Sequence, residues 1–318
     1  MNMNRGLYKT RNRILRDIRK DWWLYLMLVP GLVYIFIFKY MPMYGVTIAF
    51  RDYNIVRGFD NAPWVGLKVF NKLFRQVGFQ RALTNNIKIS LLKLVFGFPS
   101  PIILSLLINE VRSRVYKKYV QTTVILPHFI SWFMIFGMMM SLFNLTDGAV
   151  PTVLRTINAS FGTDIKIVNY LAQKETFLAV IIISYLWQAS GDGTIVYLAA
   201  ISGIDQQLYE AAMIDGAGKW RQLWHITLSC LRPTIVMLFI FRVGIVMDAG
   251  FDQVFALSNP LVVSVCDIID TYVYRVGIEE AKYSVATAAG LFKSVIGLVL
   301  VLGTNFLAKR IDPDSGIM

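Results

Sequence analysis

Nine polar and aromatic side chains interrupt two long apolar runs of the sequence, at 177–201 and 234–255. Amides and carboxylates hydrogen-bond hydroxyl groups, and aromatic faces cover apolar ring surfaces, so these residue types suit contact with a hydroxyl-bearing ring. Polar groups are costly inside a membrane-spanning helix and are therefore functional candidates. The nine are Tyr185, Trp187, Gln188, Asp192, Arg242, Asp248, Phe251, Asp252 and Gln253.

Four of these residues have structural alternatives that the sequence leaves open. Arg242 and Asp248 form either an internal ion pair that holds helices together or a part of a substrate path. Asp252 is either solvated at the outer end of its helix or in contact with substrate. Trp187 is alternatively an aromatic anchor at the membrane–water interface, although its depth after a long apolar run disfavours that role.

Catalytic and cofactor chemistry has no support in the sequence. No His, Cys, Asp or Glu cluster has metal-ligand spacing, and no Ser-His-Asp arrangement is visible. The segment 216–219 superficially resembles a phosphate loop, but that motif needs glycine five residues before its Gly-Lys pair and Ser or Thr after it. Met213 and Trp220 occupy those positions. We expect no metal, no cofactor and no catalysis in this chain.

The elements that carry the candidates are membrane-spanning helices. Hydrophobic residues make up 56% of the 318, and several apolar stretches exceed the roughly 20 residues that cross a bilayer core. Because lipid requires internally satisfied backbone, continuous apolar runs are helices, and the sequence predicts an all-α polytopic helical bundle. Six spans are expected, at 22–48, 86–109, 119–143, 177–201, 234–255 and 284–308.

Basic residues at the span ends set the predicted orientation. The tail 1–21 and the loop 110–118 are rich in Lys and Arg, and they share one side with 204–233 and Lys309–Arg310. That side is cytoplasmic, so both termini are cytoplasmic. The segment 51–81 also carries six basic residues on the outer side and opposes this assignment, but the first tail usually dominates. The net charge of +12 indicates contacts with anionic lipids rather than nucleic acid.

The spans and charges divide the chain into four parts. The outer loops 144–176 and 256–283 are long enough to contact an extracellular partner. Cys230 and Cys266 lie on opposite sides of the membrane in this topology, so a disulfide between them is not expected. The parts are a basic cytoplasmic tail 1–21, a first transmembrane helix with an outer amphipathic linker 22–84, a five-helix core 85–308 that contains a cytoplasmic loop 204–233, and a cytoplasmic tail 309–318.

The segment 204–233, called the hairpin below, has the features of two short helices joined by a tight turn. Asp205 is placed to cap the first helix, and an acid early in that helix favours its positive end. Small residues allow the helix to approach another protein closely, and glycine after aspartate allows the positive φ of a tight reversal. The candidate docking residues are Glu210, Ala211, Ala212, Asp215, Gly216 and Ala217.

The stretch 210–217, which contains these residues, lies between the fourth and fifth predicted spans. It resembles the coupling loop of permease subunits in binding-protein-dependent ABC importers. Residues 126–132, 251–255, 270–275 and the terminus 316–318 are similar to the carbohydrate-uptake branch of that family, for oligosaccharides or polysaccharide fragments. One departure is Ser229, where the family often has proline.

The resemblance implies the type I ABC importer permease fold and a transport subunit rather than an enzyme. It implies inward movement of an oligosaccharide by alternating access in a bacterial cytoplasmic membrane. The implied partners are a second homologous permease, two ATP-binding subunits docked on the coupling loop and an extracytoplasmic solute-binding protein. ATP and Mg would be used by the partner subunits alone.

Two other interpretations stay open at this point. An ion- or proton-coupled secondary transporter would use Asp192, Arg242 and Asp248, and Gly191 and Gly193 hint at the broken helix that such proteins have. A non-transporting membrane scaffold is the other. Co-purification with an ATPase and ATP-dependent uptake would exclude both.

Overall fold

The computed structural model describes residues 20–311, and their backbone is helical apart from loops and one isolated antiparallel bridge between Arg51 and Trp64. Most of the predicted tail 1–21 and the segment 312–318, including the family-like terminus 316–318, lie outside the described residues. The helices are α1 Trp22–Ile35, α2 Lys68–Arg75, α3 Val77–Gly97, α4 Pro99–Asn109, α5 Arg114–Ile125, α6 Trp132–Leu142, α7 Ala149–Phe161, α8 Lys174–Ser202, α9 Gln206–Ile214, α10 Lys219–Gln222, α11 Leu228–Gly244, α12 Phe251–Leu257, α13 Val263–Cys266, α14 Ile269–Tyr274 and α15 Tyr283–Ile311.

Shorter helical turns extend or join several of these helices. The π-helical segments are Phe36–Tyr40 after α1, Leu223–Thr227 between α10 and α11, and Arg275–Glu279 after α14. The 3₁₀ segments are Met41–Phe50, which continues the first helix, and Leu126–Phe129 between α5 and α6.

Four helical stretches in the described part of the chain are long and apolar enough to cross a membrane, and a bent pair makes a fifth. The predicted span 177–201 lies within the 29-residue α8, which has a polar centre and is not among these stretches. The all-α membrane fold is therefore confirmed, whereas the count of six spans stays a prediction. The stretches are Trp22–Phe50, Val77–Asn109, Lys219–Gly244 and Tyr283–Leu307, and the pair is Arg114–Phe129 with Trp132–Leu142.

The predicted bounds of the fifth span, 234–255, are wrong. The helix that returns from the hairpin runs through Pro233 without interruption and ends at Gly244. The backbone then breaks at residues 245–250, where Gly250 adopts a φ of 87°, before α12 begins. Lipid does not tolerate a free backbone carbonyl, so such a break requires hydrogen-bond donors from neighbouring helices.

The predicted third span, 119–143, is not one straight helix either. It bends by 102° between Phe129 and Trp132. The side chain of Ser131 caps the second half by accepting a hydrogen bond from the backbone N–H of Met134 at 3.4 Å. A serine with β-region backbone is a favoured helix start, so the cap stabilises the bend.

The amphipathic linker helix α2 packs on the bundle. Val69 and Leu73 are buried in a core cluster with Phe79, Tyr272 and Ala288. The linker helix α2 therefore lies against the bundle rather than against the outer leaflet of the membrane.

The central helix α8 approaches its neighbours at backbone distance through two glycines. A Cβ at Gly191 would overlap the backbone of Val124 and Ile125, and a Cβ at Gly193 would lie 2.9 Å from Cγ of Pro101. These glycines therefore permit close packing within an unbroken helix. They do not produce the interruption that the secondary-transporter interpretation needs.

Both cysteines are free thiols, on α11 and α13. Cys230 is exposed, whereas Cys266 is buried in the segment 256–283, and this burial raises the pKa of Cys266 to about 12. The thiol of Cys266 is therefore protonated at neutral pH and a poor nucleophile.

Candidate coupling surface and transport path

The hairpin begins with the predicted cap. The Asp205 side chain accepts a hydrogen bond from the backbone N–H of Gln207 at 2.9 Å, which satisfies one of the free donors at the start of α9. Glu210 and Ala211 are exposed on this helix, and Ala212 is partly exposed.

The turn at the end of α9 depends on Gly216. Its φ is 73°, a left-handed conformation that costs other residues about 1–2 kcal/mol. The turn is closed by backbone hydrogen bonds from Asp215 to Ala211 at 3.0 Å and from Ala217 to Ala212 at 2.8 Å. Apart from its two chain neighbours, no described residue has a heavy atom within 4 Å of a Cβ built at Gly216, so the need for glycine is conformational rather than steric.

Two side-chain contacts hold the hairpin together, and a third fixes it to the end of α4. The hydroxyl groups of Tyr209 and Thr227 are 2.9 Å apart, which ties α9 to the returning helix. The amide nitrogen of Gln222 donates to the carbonyl oxygen of Ala217 at 2.8 Å. Lys219 pairs with Glu110, which follows α4. The hairpin is therefore held as one piece with the helix that leads to Gly244.

The hairpin presents a group of large apolar side chains that nothing in the described chain covers. Ile214 is 86% exposed and Trp220 is 73% exposed, and the rings of Trp220 and Trp224 are 6.2 Å apart. Exposed apolar patches of this kind mark interaction sites. The exposed set is Leu208, Met213, Ile214, Trp220 and Trp224.

Two adjoining clefts lie between α3, α8 and the end of α11. The basic cleft, of about 190 Å³, is lined by Ser90, Lys93, Tyr185, Arg242 and Asp248, among others. The polar cleft, of about 330 Å³, shares two of these residues with the basic cleft. The polar groups of the polar cleft include His128, Tyr185, Gln188, Asp192 and Arg242.

Five of the nine predicted path residues thus meet around these clefts. They are Tyr185, Gln188, Asp192, Arg242 and Asp248.

Arg242 and Asp248 do not form the ion pair that was one of the two alternatives, because no guanidinium nitrogen of Arg242 lies within 4.0 Å of a carboxylate oxygen of Asp248. The guanidinium of Arg242 lies instead 5.5 Å from the ring centroid of Tyr185. An oxygen of Asp248 is 3.9 Å from the amine of Lys293. Lys293, whose partner the sequence does not reveal, binds both carboxylate oxygens of Asp270 at 2.7 Å.

The remaining four predicted residues lie outside the two clefts. Trp187 lines a separate apolar groove, and Asp252 is exposed on α12. The ring of Phe251 stacks on Phe255 with centroids 5.1 Å apart. Gln253 is only 1% exposed, and its amide nitrogen donates to the carbonyl oxygen of Ile181 at 2.7 Å, so its side chain joins helices.

Lys93 is a residue that the sequence analysis missed. It is 6% exposed on α3, and its amine donates to the carbonyl oxygen of Ala249 at 2.7 Å and to the side-chain oxygen of Gln253. Asn86 donates in the same way to the carbonyl oxygen of Met247 at 3.0 Å. These two donors satisfy the broken backbone after α11. In the sequence, the sign that Lys93 has such a role is the presence of a lysine within an apolar stretch.

A buried carboxylate organises the segment 256–283, which is predicted to be an outer loop. Asp267 is 2% exposed and accepts hydrogen bonds from Arg275 at 2.6 Å and from Thr271 at 2.9 Å. Arg81 lies 3.5 Å from the same carboxylate. The hydrogen bond with Asp267 raises the pKa of Arg275 above its ordinary value.

The hairpin, the polar cleft and part of the basic cleft fall within one recognised family region, which Ser90, Lys93 and Leu94 of the basic cleft precede. Residues 97–314 match the family described as the inner membrane component of binding-protein-dependent transport systems. The chain belongs to this family. It is the membrane-embedded permease of an ABC importer that depends on a solute-binding protein, and it is a transport subunit rather than an enzyme.

Relatives of nearly equal length agree with this assignment. Protein LplB of Bacillus subtilis (strain 168) is 43% identical over 298 residues, which cover 94% of this chain and 92% of LplB. The polygalacturonan/rhamnogalacturonan transport system permease protein YteP of the same organism is 41% identical, with coverage of 96% and 93%.

A solved structure confirms the type I permease fold. The crystal structure of a bacterial ABC transporter involved in the import of the acidic polysaccharide alginate contains a chain with 41% identity and a TM-score of 0.86. The similarity covers 94% of this permease and 99% of that chain.

Proposed function

We propose that this permease moves an oligosaccharide inward and that ATP-binding subunits drive it by docking on the hairpin. The observation that carries the proposal is the continuity of the helix Lys219–Gly244, which joins the exposed hairpin surface to the clefts. At a rise of about 1.5 Å per residue, Lys219 and Arg242 are separated by about 35 Å of continuous helix. A displacement of the docked hairpin is thereby transmitted to Arg242.

The break at residues 245–250 acts as the hinge that alternating access needs. The helix below it moves with the hairpin, while α12 beyond it is anchored to α8 through Gln253 and Ile181. Hinges of this kind absorb backbone rotation while the adjoining helices stay rigid.

The substrate class follows from the relatives together with the side chains of the polar cleft. YteP and the alginate transporter are named for polysaccharide import. Gln188 and Asp192 offer hydrogen-bonding groups for hydroxyls, and the ring of Tyr185 offers an apolar face. We propose these residues, with Arg242 and Asp248, as the substrate path. Phe251 stands next to it in the aromatic cluster with Phe255 and Tyr274.

The proposed assembly contains two ATP-binding subunits at the hairpin and a second, homologous permease beside this chain. The docking residues are Glu210 to Ala212 and Asp215 to Ala217, which lie among exposed apolar neighbours. The solute-binding protein contacts the opposite end, outside the bacterial cytoplasmic membrane. Both termini and the hairpin are cytoplasmic, and ATP and Mg belong to the partner subunits.

Reconstitution of the complete importer tests this function. Proteoliposomes that contain both permeases and the ATP-binding subunits should accumulate a labelled oligosaccharide when ATP and the loaded binding protein are on their respective sides. Omission of ATP or of the binding protein should each abolish uptake. Accumulation driven by an ion gradient without ATP would refute the proposal.

A further inference from the structure

We propose that Arg242, together with Ser90 and Lys93, forms a carboxylate-binding site in the basic cleft, so that the permeating oligosaccharide carries uronate groups. This inference rests on the proposed import of an oligosaccharide and names the charge that the path recognises.

The guanidinium of Arg242 has no acceptor among residues 20–311. It contacts the ring of Tyr185, and no carboxylate of the described residues lies within 4.0 Å of it. Arginine has five N–H donors in a planar fork that matches a carboxylate with two parallel hydrogen bonds. Because Arg242 lines both clefts, these donors face the proposed path.

Lys93 adds a second cation that no described carboxylate neutralises by direct contact. Both acceptors of its amine, the carbonyl of Ala249 and the side-chain oxygen of Gln253, are neutral. The amine lies 4.7 Å from the ring centroid of Tyr185, so this one ring contacts both cations. The carboxylate of the cleft, Asp248, lies 3.9 Å from a third cation, Lys293.

The side chain of Ser90 independently indicates that a ligand binds in this cleft. It is 4% exposed and lines the basic cleft one helical turn before Lys93, yet its hydroxyl group has no hydrogen-bond partner among the described residues. Buried hydroxyl groups are normally paired. An anion held by Arg242 would accept a hydrogen bond from this hydroxyl.

An anionic group fits this site better than a neutral hydroxyl does. Two cations of low exposure with one shared carboxylate leave a positive potential in a weakly screened interior. A hydroxyl group satisfies hydrogen bonds but leaves that charge in place, whereas a carboxylate does both. On an oligosaccharide the carboxylate comes from a uronate residue.

Equilibrium binding to the purified complete permease–ATPase complex, without the solute-binding protein, tests this site. The probes are labelled tetramers of galacturonate and of mannuronate, each compared with its carboxyl-reduced analogue. The wild type should bind at least one uronate tetramer tighter than the reduced analogue by about tenfold or more. R242Q should remove that preference, and S90A should weaken it.

R232Q is the matched control, because Arg232 is exposed on the same helix, and it should keep the wild-type preference. Equal binding of acidic and reduced tetramers to the wild type, or an unchanged preference in a folded R242Q complex, would overturn the inference. ATP-driven uptake of a neutral oligosaccharide together with equal binding would overturn the uronate site alone. Absence of ATP-driven uptake of every oligosaccharide would instead overturn the proposed function.

Discussion

We expect ATP-driven uptake to fall below about one-tenth of the wild-type rate when Gly216 is replaced by proline. Strain of about 1.4 kcal/mol is enough to lower the population of a conformation tenfold. Proline fixes φ near −65°, whereas Gly216 has a φ of 73°. Proline also removes the N–H that bonds the carbonyl oxygen of Met213 at 3.1 Å. The turn then cannot present the docking residues, although the membrane helices still insert. Uptake is measured in the reconstituted importer, and insertion is measured by membrane-fraction yield.

Gly218→Pro is the control, because Gly218 lies two residues away with a φ of −66° that proline adopts without strain. Among residues 20–311, only the two chain neighbours of Gly218 could come within 4 Å of a Cβ at this position. Its uptake should stay close to wild type. Wild-type uptake by Gly216→Pro, or an equal loss in both variants, would show that the shape of the turn does not couple ATP to transport.

Lys93→Met is expected to have the largest effect on stability. The substitution leaves the carbonyl oxygen of Ala249 without its donor, and each buried unsatisfied group costs about 1–3 kcal/mol. It also removes the bond to Gln253, which positions α12 against α8. The thermal unfolding midpoint of the purified complex should fall, and proteolysis should increase near residues 245–250.

Lys88→Met separates this effect from a general effect of charge, because Lys88 is an exposed lysine on the same helix. We expect its unfolding midpoint to match the wild type. A Lys93→Met protein as stable as Lys88→Met would mean that Lys93 does not support the broken backbone.

The features that the sequence predicted well are local ones. The cap at Asp205 and the left-handed turn at Gly216 each depend on residues within a few positions, and both are present. Three predicted path residues close together in the sequence, Tyr185, Gln188 and Asp192, lie on one face of α8 and line one cleft. Trp187 does not share that face.

The features that the sequence did not predict are set by distant residues. The fifth span ends at Gly244 because donors on α3 satisfy the backbone that follows, and Asn86 and Lys93 are about 160 positions away in the chain. The partner of Lys293 is Asp270, on another helix. Neither pairing leaves a local pattern, so periodicity and spacing alone do not find them.

Site-specific photo-crosslinking tests whether the hairpin docks on an ATP-binding subunit. A photoreactive amino acid replaces Met213 on the hairpin or, as a control, Val56 in the predicted outer linker, since these side chains are 59% and 92% exposed. In the assembled importer, the probe at Met213 should crosslink to an ATP-binding subunit, with a yield that changes on ATP binding, and the probe at Val56 should not. No crosslink at Met213, or a crosslink to the ATPase at Val56, would contradict the account.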